Sequence, residues 1–126
     1  MEKPKTVLVV DDDAHIRRVI ELKLKNQGYQ VILGKNGEEG LNLIQTQSPD
    51  VLIVDLNMPK MDGKKLCEMC DELKQKRSFL TIVITARISL DEQVWIDNLH
   101  DTLFMEKPFS PAKMVAAIKE YFKAQG

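Results

Sequence analysis

Five short apolar runs recur along the chain at near-regular intervals, and this alternation leaves few folds open. The runs are Val7 to Val10, Val31 to Leu33, Val51 to Val54, Ile82 to Ile84 and Leu103 to Met105. Each is short and rich in β-branched residues, the mark of a strand rather than a helix. Between them, apolar side chains return every three or four residues, as on one face of a helix. Ile16, Val19, Ile20 and Leu24 form the first stripe, Leu41 and Ile44 the second, and Leu66, Met69, Cys70 and Leu73 the third. Val94, Trp95 and Leu99 form the fourth, and Met114, Val115, Ile118, Tyr121 and Phe122 the fifth. The helix starts carry their own signals. Asp13 stands as an N-cap, Asn36 precedes Glu39 by three residues and Ser89 precedes Glu92 by three. Ser110 precedes Pro111 at a first helical position.

Strand and helix thus alternate five times, which predicts an α/β fold: a single (βα)5 doubly wound parallel sheet. Runs such as Val-Leu-Val-Val and Val-Leu-Ile-Val show no polar alternation, so they suit central strands covered on both faces. Right-handed crossovers then place helices on both sides. A length of 126 residues suffices for one core, and residues 1–126 are read as one domain. No repeat or linker interrupts them, and no output domain is expected after the fifth helix. At 44% hydrophobic and 29% charged the composition excludes disorder, and a net charge of −1 gives no basis for a nucleic-acid or membrane surface. No apolar run approaches the ~20 residues of a membrane span, and the N-terminus lacks a signal-peptide core. The expected location is the cytoplasm.

In an open parallel sheet, ligands bind beyond the carboxyl ends of the strands, where strand order reverses. The residues that close each run are therefore the informative ones. The first strand ends in Asp11, Asp12 and Asp13, the third in Asp55 and the fourth in Thr85, while the fifth runs into Lys107. Asp13 is assigned to the helix cap and left out of the site. Gathered carboxylates repel, and a divalent cation is the natural compensation. An all-oxygen site without His or Cys suits Mg2+ rather than zinc. Lys107 and Thr85 add a fixed cation and a hydroxyl donor, which with an oxygen nucleophile are the parts phosphoryl transfer needs. The Cys67–Cys70 pair invites a zinc or redox reading, but zinc needs about four ligands and a redox pair should open its helix. Mid-helix, the pair reads as two reduced, partly buried thiols.

Four segments carry a resemblance to a known family. Val-Leu-Val-Val-Asp-Asp-Asp at 7–13, Asp50 through Gly63 with Met58-Pro59 and Asp62-Gly63, Ile84-Thr85-Ala86, and Glu106-Lys107-Pro108-Phe109 resemble the response-regulator receiver family of two-component signalling. The resemblance runs from Thr6 to about Phe122. It implies a flavodoxin-like strand order 2-1-3-4-5 and a signalling receiver rather than an enzyme, its chemistry confined to self-catalysed phosphotransfer and dephosphorylation. By the same resemblance Asp55 is the phosphoacceptor. Mg2+ is held by Asp12 directly, Asp11 through water, Asp55, and the backbone carbonyl of Asn57. Lys107 binds the phosphoryl group, Thr85 couples it to a switch, Phe104 turns inward, and the Lys107–Pro108 bond is cis. The implied partners are a sensor histidine kinase or a histidine phosphotransfer protein, and an unidentified output partner at the face of the fourth helix, fifth strand and fifth helix.

The chain departs from the family at His100-Asp101, where Gly-Ala is frequent, and at Phe104, where tyrosine is. Trp95 is unusual; at helical spacing it reads as core, and if exposed as a partner anchor. His15, Arg17 and Arg18 are expected toward solvent beside the acidic pocket, as a rim for kinase docking. Two alternatives compete. Asp11-x-Asp13 resembles the nucleophile and acid of haloacid-dehalogenase-like phosphatases, but His15 replaces the expected Thr or Val, and no cap insertion or further acidic motif follows. A receiver-like binding module that works unphosphorylated typically lacks part of the acidic set or the lysine, and this chain keeps all of it.

Overall fold

The computed structural model describes residues 4–56, 58 and 63–125. Strands β1 (Thr6–Val10), β2 (Gln30–Gly34), β3 (Val51–Asp55), β4 (Leu80–Thr85) and β5 (Thr102–Glu106) alternate with five helices. These are α1 (Ala14–Asn26), α2 (Gly37–Gln47), α3 (Gly63–Leu73), α4 (Leu90–Asp97) and α5 (Pro111–Ala124). All neighbouring strands run parallel, in the order β2-β1-β3-β4-β5. The order reverses between β1 and β3, so the crevice of such a sheet opens beyond their carboxyl ends. Register brings Asp55 opposite Ile84, and Thr85 opposite Glu106.

Four of the helix starts are closed by the residues their spacing singled out. Asp13 accepts the N–H groups of His15 and Ile16, Asn36 that of Glu39 and Ser110 that of Lys113, while Ser89 and Glu92 form a reciprocal capping box. Each such cap is worth about 1 kcal/mol by satisfying donors the helix leaves open.

The period-two alternation of β1 and β3 divides the core between two faces. Leu8, Val10, Leu52 and Val54 pack with Ile44, Leu66, Cys67, Cys70 and Ile96 from α2, α3 and α4. Val7, Val9, Val51 and Ile53 pack with Ile20, Leu24, Met114, Val115 and Ile118 from α1 and α5. Every β1 and β3 aliphatic here is fully buried, worth roughly 1.5–3 kcal/mol per side chain, which fixes the strand ends rigidly. Gly40 lets α2 sit directly on β1, since a Cβ there would lie 2.8 Å from a Val10 methyl.

The structure corrects several finer expectations. In α4 the buried residue is Ile96, whereas Val94 is 56% and Leu90 77% exposed. The helix has only eight residues, too few for the stripe to fix its own phase. Leu103 is 44% exposed because β5 is an edge strand with α4 and α5 covering it incompletely, and Val19 of α1 also reaches solvent. Cys67 and Cys70 are fully rather than partly buried in mid-α3, and burial pushes the Cys70 thiol up to about 12, an inert state for either redox or metal chemistry. Trp95 is half-buried and packs against the core, as its helical spacing suggested. Asp101 takes φ +48, a left-handed conformation. Aspartate tolerates it better than most residues, and its carbonyl accepts Thr81 N–H while its carboxylate accepts the Tyr121 hydroxyl.

Candidate functional site

The site is built by four strand ends. Asp11 follows β1 directly, with its N–H held by the Gly34 carbonyl at 3.2 Å. Its side chain turns back into the fold and is fully buried, and Oδ1 accepts the Asp13 N–H at 2.8 Å. Asp12 projects to solvent. Asp55 ends β3 and is 5% exposed. One carboxylate oxygen from each of Asp11, Asp12 and Asp55 lies within 4.8 Å of the others. Lys107 reaches into this group from beyond β5, its Nζ 3.2 Å from Asp55 Oδ2 and 3.5 Å from Asp11 Oδ2. The Lys107–Pro108 peptide is cis.

The electrostatics follow from crowding. Burial raises the Asp11 carboxyl to about 6; the Asp13 N–H opposes this, the Asp55 charge adds to it, Lys107 opposes and Asp12 adds. Burial pulls Lys107 down, but the Asp11 and Asp55 carboxylates outweigh it and leave its pKa raised, so the amine stays cationic. Among the described residues, Asp11 Oδ2 is buried and makes no hydrogen bond; Lys107 at 3.5 Å is an ion-pair neighbour only. A buried carboxylate oxygen left so is costly unless something else meets it. Together with a hard, all-oxygen donor set, this orphaned atom fits a small divalent cation such as Mg2+. Asn57, expected to add a backbone carbonyl, lies outside the described residues, as do Pro59 and Asp62.

Thr85 ends β4 with its side chain fully buried. Its hydroxyl donates to the Arg87 carbonyl at 3.1 Å and accepts the Arg87 N–H at 3.4 Å, so it is engaged by the loop after β4 rather than by the acidic group. Phe104 lies opposite Val83, hence on the same face as Val83 and Thr85, and is half-buried against the core that α3 and α4 cover.

Two contributors escaped the sequence reading. Gly63 opens α3 with its N–H on the Leu56 carbonyl; a Cβ there would lie 2.6 Å from Leu56 Cα and closer still to the Asp55 carbonyl. The Asp62-Gly63 dipeptide was a motif, but only the approach to β3 shows what the glycine does. Arg17 was expected at the solvent rim; instead it is half-buried, donating from Nη1 to the Asp11 carbonyl at 2.6 Å. His15 and Arg18 are exposed as expected, and Ile16 packs on the core. An apolar depression lies beside the pocket, lined by Ile16, Val19, Pro108 and Phe109 among others.

A doubly wound, flavodoxin-like sheet with an acidic pocket at its switch point defines a class; the family can be given more narrowly. Residues 7–119 match the response regulator receiver domain, and the chain belongs to that family as a receiver domain of two-component response regulators, a signalling module. The alternatives, phosphatase and phosphorylation-independent module, are not favoured by these matches. A probable transcriptional regulator, ycf27, of Guillardia theta is 36% identical over 119 residues, covering 94% of this chain and 46% of that protein. The alkaline phosphatase synthesis transcriptional regulatory protein PhoP of Bacillus subtilis is 35% identical over 116 residues, covering 91% and 47%. This chain therefore spans about half the length of the curated relatives it matches. Among solved structures, a CheY-like receiver domain protein of Methanospirillum hungatei superposes with a TM-score of 0.89 at 29% identity, over 98% of this chain and 97% of that one. The chemotaxis protein CheY4 of Vibrio cholerae gives 0.84 at 27% identity, over 94% and 98%.

Proposed function

We propose that this receiver, residues 1–126 acting as one unit, takes a phosphoryl group onto Asp55 from a phosphohistidine of a sensor kinase or phosphotransfer protein. The observation that carries the reading is the three-carboxylate group, with an orphaned buried oxygen on Asp11 and Lys107 reaching both Asp11 and Asp55. Asp55 is the acid that Lys107 pairs most closely, and it keeps 5% exposure where Asp11 has none. Its carboxylate oxygen attacks phosphorus, the P–N bond to the donor imidazole breaks, and the electron pair leaves on that nitrogen. Lys107 moves from neutralising the resting carboxylate to pairing with a phosphoryl oxygen, so its charge is kept in place throughout. Mg2+, when held by Asp11, Asp12 and Asp55 with the Asn57 carbonyl, supplies charge neutralisation for the transferring group. Thr85 exchanges its Arg87 partners for a phosphoryl oxygen, and Phe104, on the same face, follows the vacated space.

The output surface in this reading is the α4–β5–α5 face, where Leu90, Val94 and Leu103 stand exposed. The partner there is unassigned. Transcriptional regulation belongs to the longer relatives; this unit binds no nucleic acid itself in our reading. No described helix is long and apolar enough to cross a membrane; the cytoplasm is typical of receiver domains, and we place the protein there on its family. The test is intact-mass labelling with acetyl phosphate. One phosphoryl group is expected with millimolar Mg2+ and none with EDTA; labelling indifferent to the metal would overturn the assignment of the acidic group.

A further inference from the structure

Asp12 differs from its two acidic neighbours in having nothing to fix it. Asp11 is anchored through Oδ1 on the Asp13 N–H, and Asp55 through Oδ2 on Lys107. Asp12 is exposed and, among the described residues, its carboxylate has no hydrogen-bond or ion-pair partner. Its place in the pocket is therefore set by the backbone alone, through the peptide that joins it to Asp11. That peptide's carbonyl is the group Arg17 grips from the first turn of α1, at 2.6 Å. A bond from a cationic donor at this length is at the strong end for N–H to oxygen, and the planar guanidinium of a half-buried arginine offers its donors in a fixed fork. The same turn is also held by Asp13, whose carboxylate caps α1. Arg17 and Asp13 thus hold the turn on either side of Asp12.

We propose that Arg17 is a positioning residue for the metal site: it locks the Asp11–Asp12 peptide and so presets the Asp12 carboxylate toward the cation. This rests on the proposed magnesium site, and assigns Arg17 a role inside the domain in place of the docking rim. Groups that orient a ligand without touching the metal commonly change affinity about tenfold or more when removed.

The test titrates Mg2+ into the full chain while following the amide resonances of residues 11–13. Arg17→Ala is expected to weaken Mg2+ binding about tenfold and to shift the metal-free Asp12 amide. Arg17→Lys, which keeps a cationic donor, should recover most of that affinity. Arg18→Ala, an exposed neighbour, should bind Mg2+ as the parent does. Should Arg17→Ala lower thermal stability while its folded fraction binds Mg2+ like the parent, the role is merely structural and the proposal is wrong. If Arg17→Ala proves too unstable to titrate, Arg17→Gln, which keeps bulk but sheds the charge and shortens the reach of the donor, decides: a severalfold loss of Mg2+ affinity supports the proposal, and parental affinity overturns it. A loss of transfer from the kinase alone, with Mg2+ affinity unchanged, would return Arg17 to docking. If the parent itself binds no Mg2+ at millimolar concentration, the metal-site reading fails along with this inference; parental binding matched by Arg17→Ala sinks only the inference.

Discussion

Replacing Asp11 by asparagine should make the metal-free domain more stable, although it removes a residue from the site. Burial and the neighbouring acids raise the Asp11 carboxyl from its ordinary 3.8 to about 6. A shift of roughly two units corresponds to about 3 kcal/mol spent on holding the charged form in the folded state near neutral pH. Asparagine keeps an oxygen for the Asp13 N–H and sheds the charge, at the cost of one of the two acids beside Lys107. The expected net gain is therefore about 1–3 kcal/mol. The sign in pH is determined by the direction of the shift. Because the folded value lies above the unfolded one, the contribution of Asp11 is most favourable below its unfolded pKa and is lost as pH rises through about 6. The gap between variant and parent should thus be full at about pH 7.5 and shrink below about 1 kcal/mol at about pH 4. Urea unfolding in EDTA, followed by circular dichroism at both values, measures it. An asparagine variant less stable than the parent at the higher pH, or a gap that ignores pH, would refute the reasoning. Magnesium at free concentration c should narrow the gap, since it stabilises the parent by RT ln(1 + c/Kd).

Gly63→Ala should cost about 2 kcal/mol or more in stability and slow phosphorylation, because the added methyl collides with the backbone of Asp55 and Leu56; thermal unfolding and acetyl phosphate labelling report the two effects. Thr85→Ala should still be labelled yet lose the coupled change: a charge-assisted hydrogen bond is worth roughly 1.5–3 kcal/mol, enough for a tenfold population shift. Amide shifts across residues 89–121 with beryllofluoride should be strongly reduced, and parental shifts in the variant would rule this route out. Arg18→Ala should slow transfer from a phosphohistidine donor while leaving acetyl phosphate labelling intact, since Arg18 is exposed beside the pocket; equal loss with both donors would mean damage to the site instead.

How much of this was legible in the sequence depended on how local the cause is. Asp13, Asn36, Ser89 and Ser110 cap their helices through residues two or three positions away, so their spacing alone disclosed them. The buried runs of β1 and β3 likewise announced themselves by uninterrupted aliphatic composition. Asp11, Asp55, Thr85 and Lys107 could be gathered in advance because a parallel sheet places every strand end on one edge. The phase of α4 was only partly legible: Trp95 and Leu99 pack on the core as their spacing suggested, whereas Val94 is exposed and packing chose Ile96 as the buried residue. Nor was the role of Arg17: an arginine one turn into a helix looks solvated until the path of the β1–α1 turn brings a carbonyl within reach. The Thr85 hydroxyl was expected to reach a phosphoryl oxygen on phosphorylation; that the Arg87 backbone holds it at rest is a competition that composition does not reveal.

The central claim is that Asp55, rather than either acid of β1, carries the phosphoryl group. Borohydride reduces an acyl phosphate to an alcohol, so an aspartyl phosphate is converted to homoserine where it stood. The protein treated with acetyl phosphate and Mg2+, then with borohydride and digested, should give a peptide with homoserine at position 55 and unmodified aspartate at 11, 12 and 13. Asp55→Asn should give none. Homoserine at position 11 in the parent, or a label that survives Asp55→Asn at parental yield, would contradict the account.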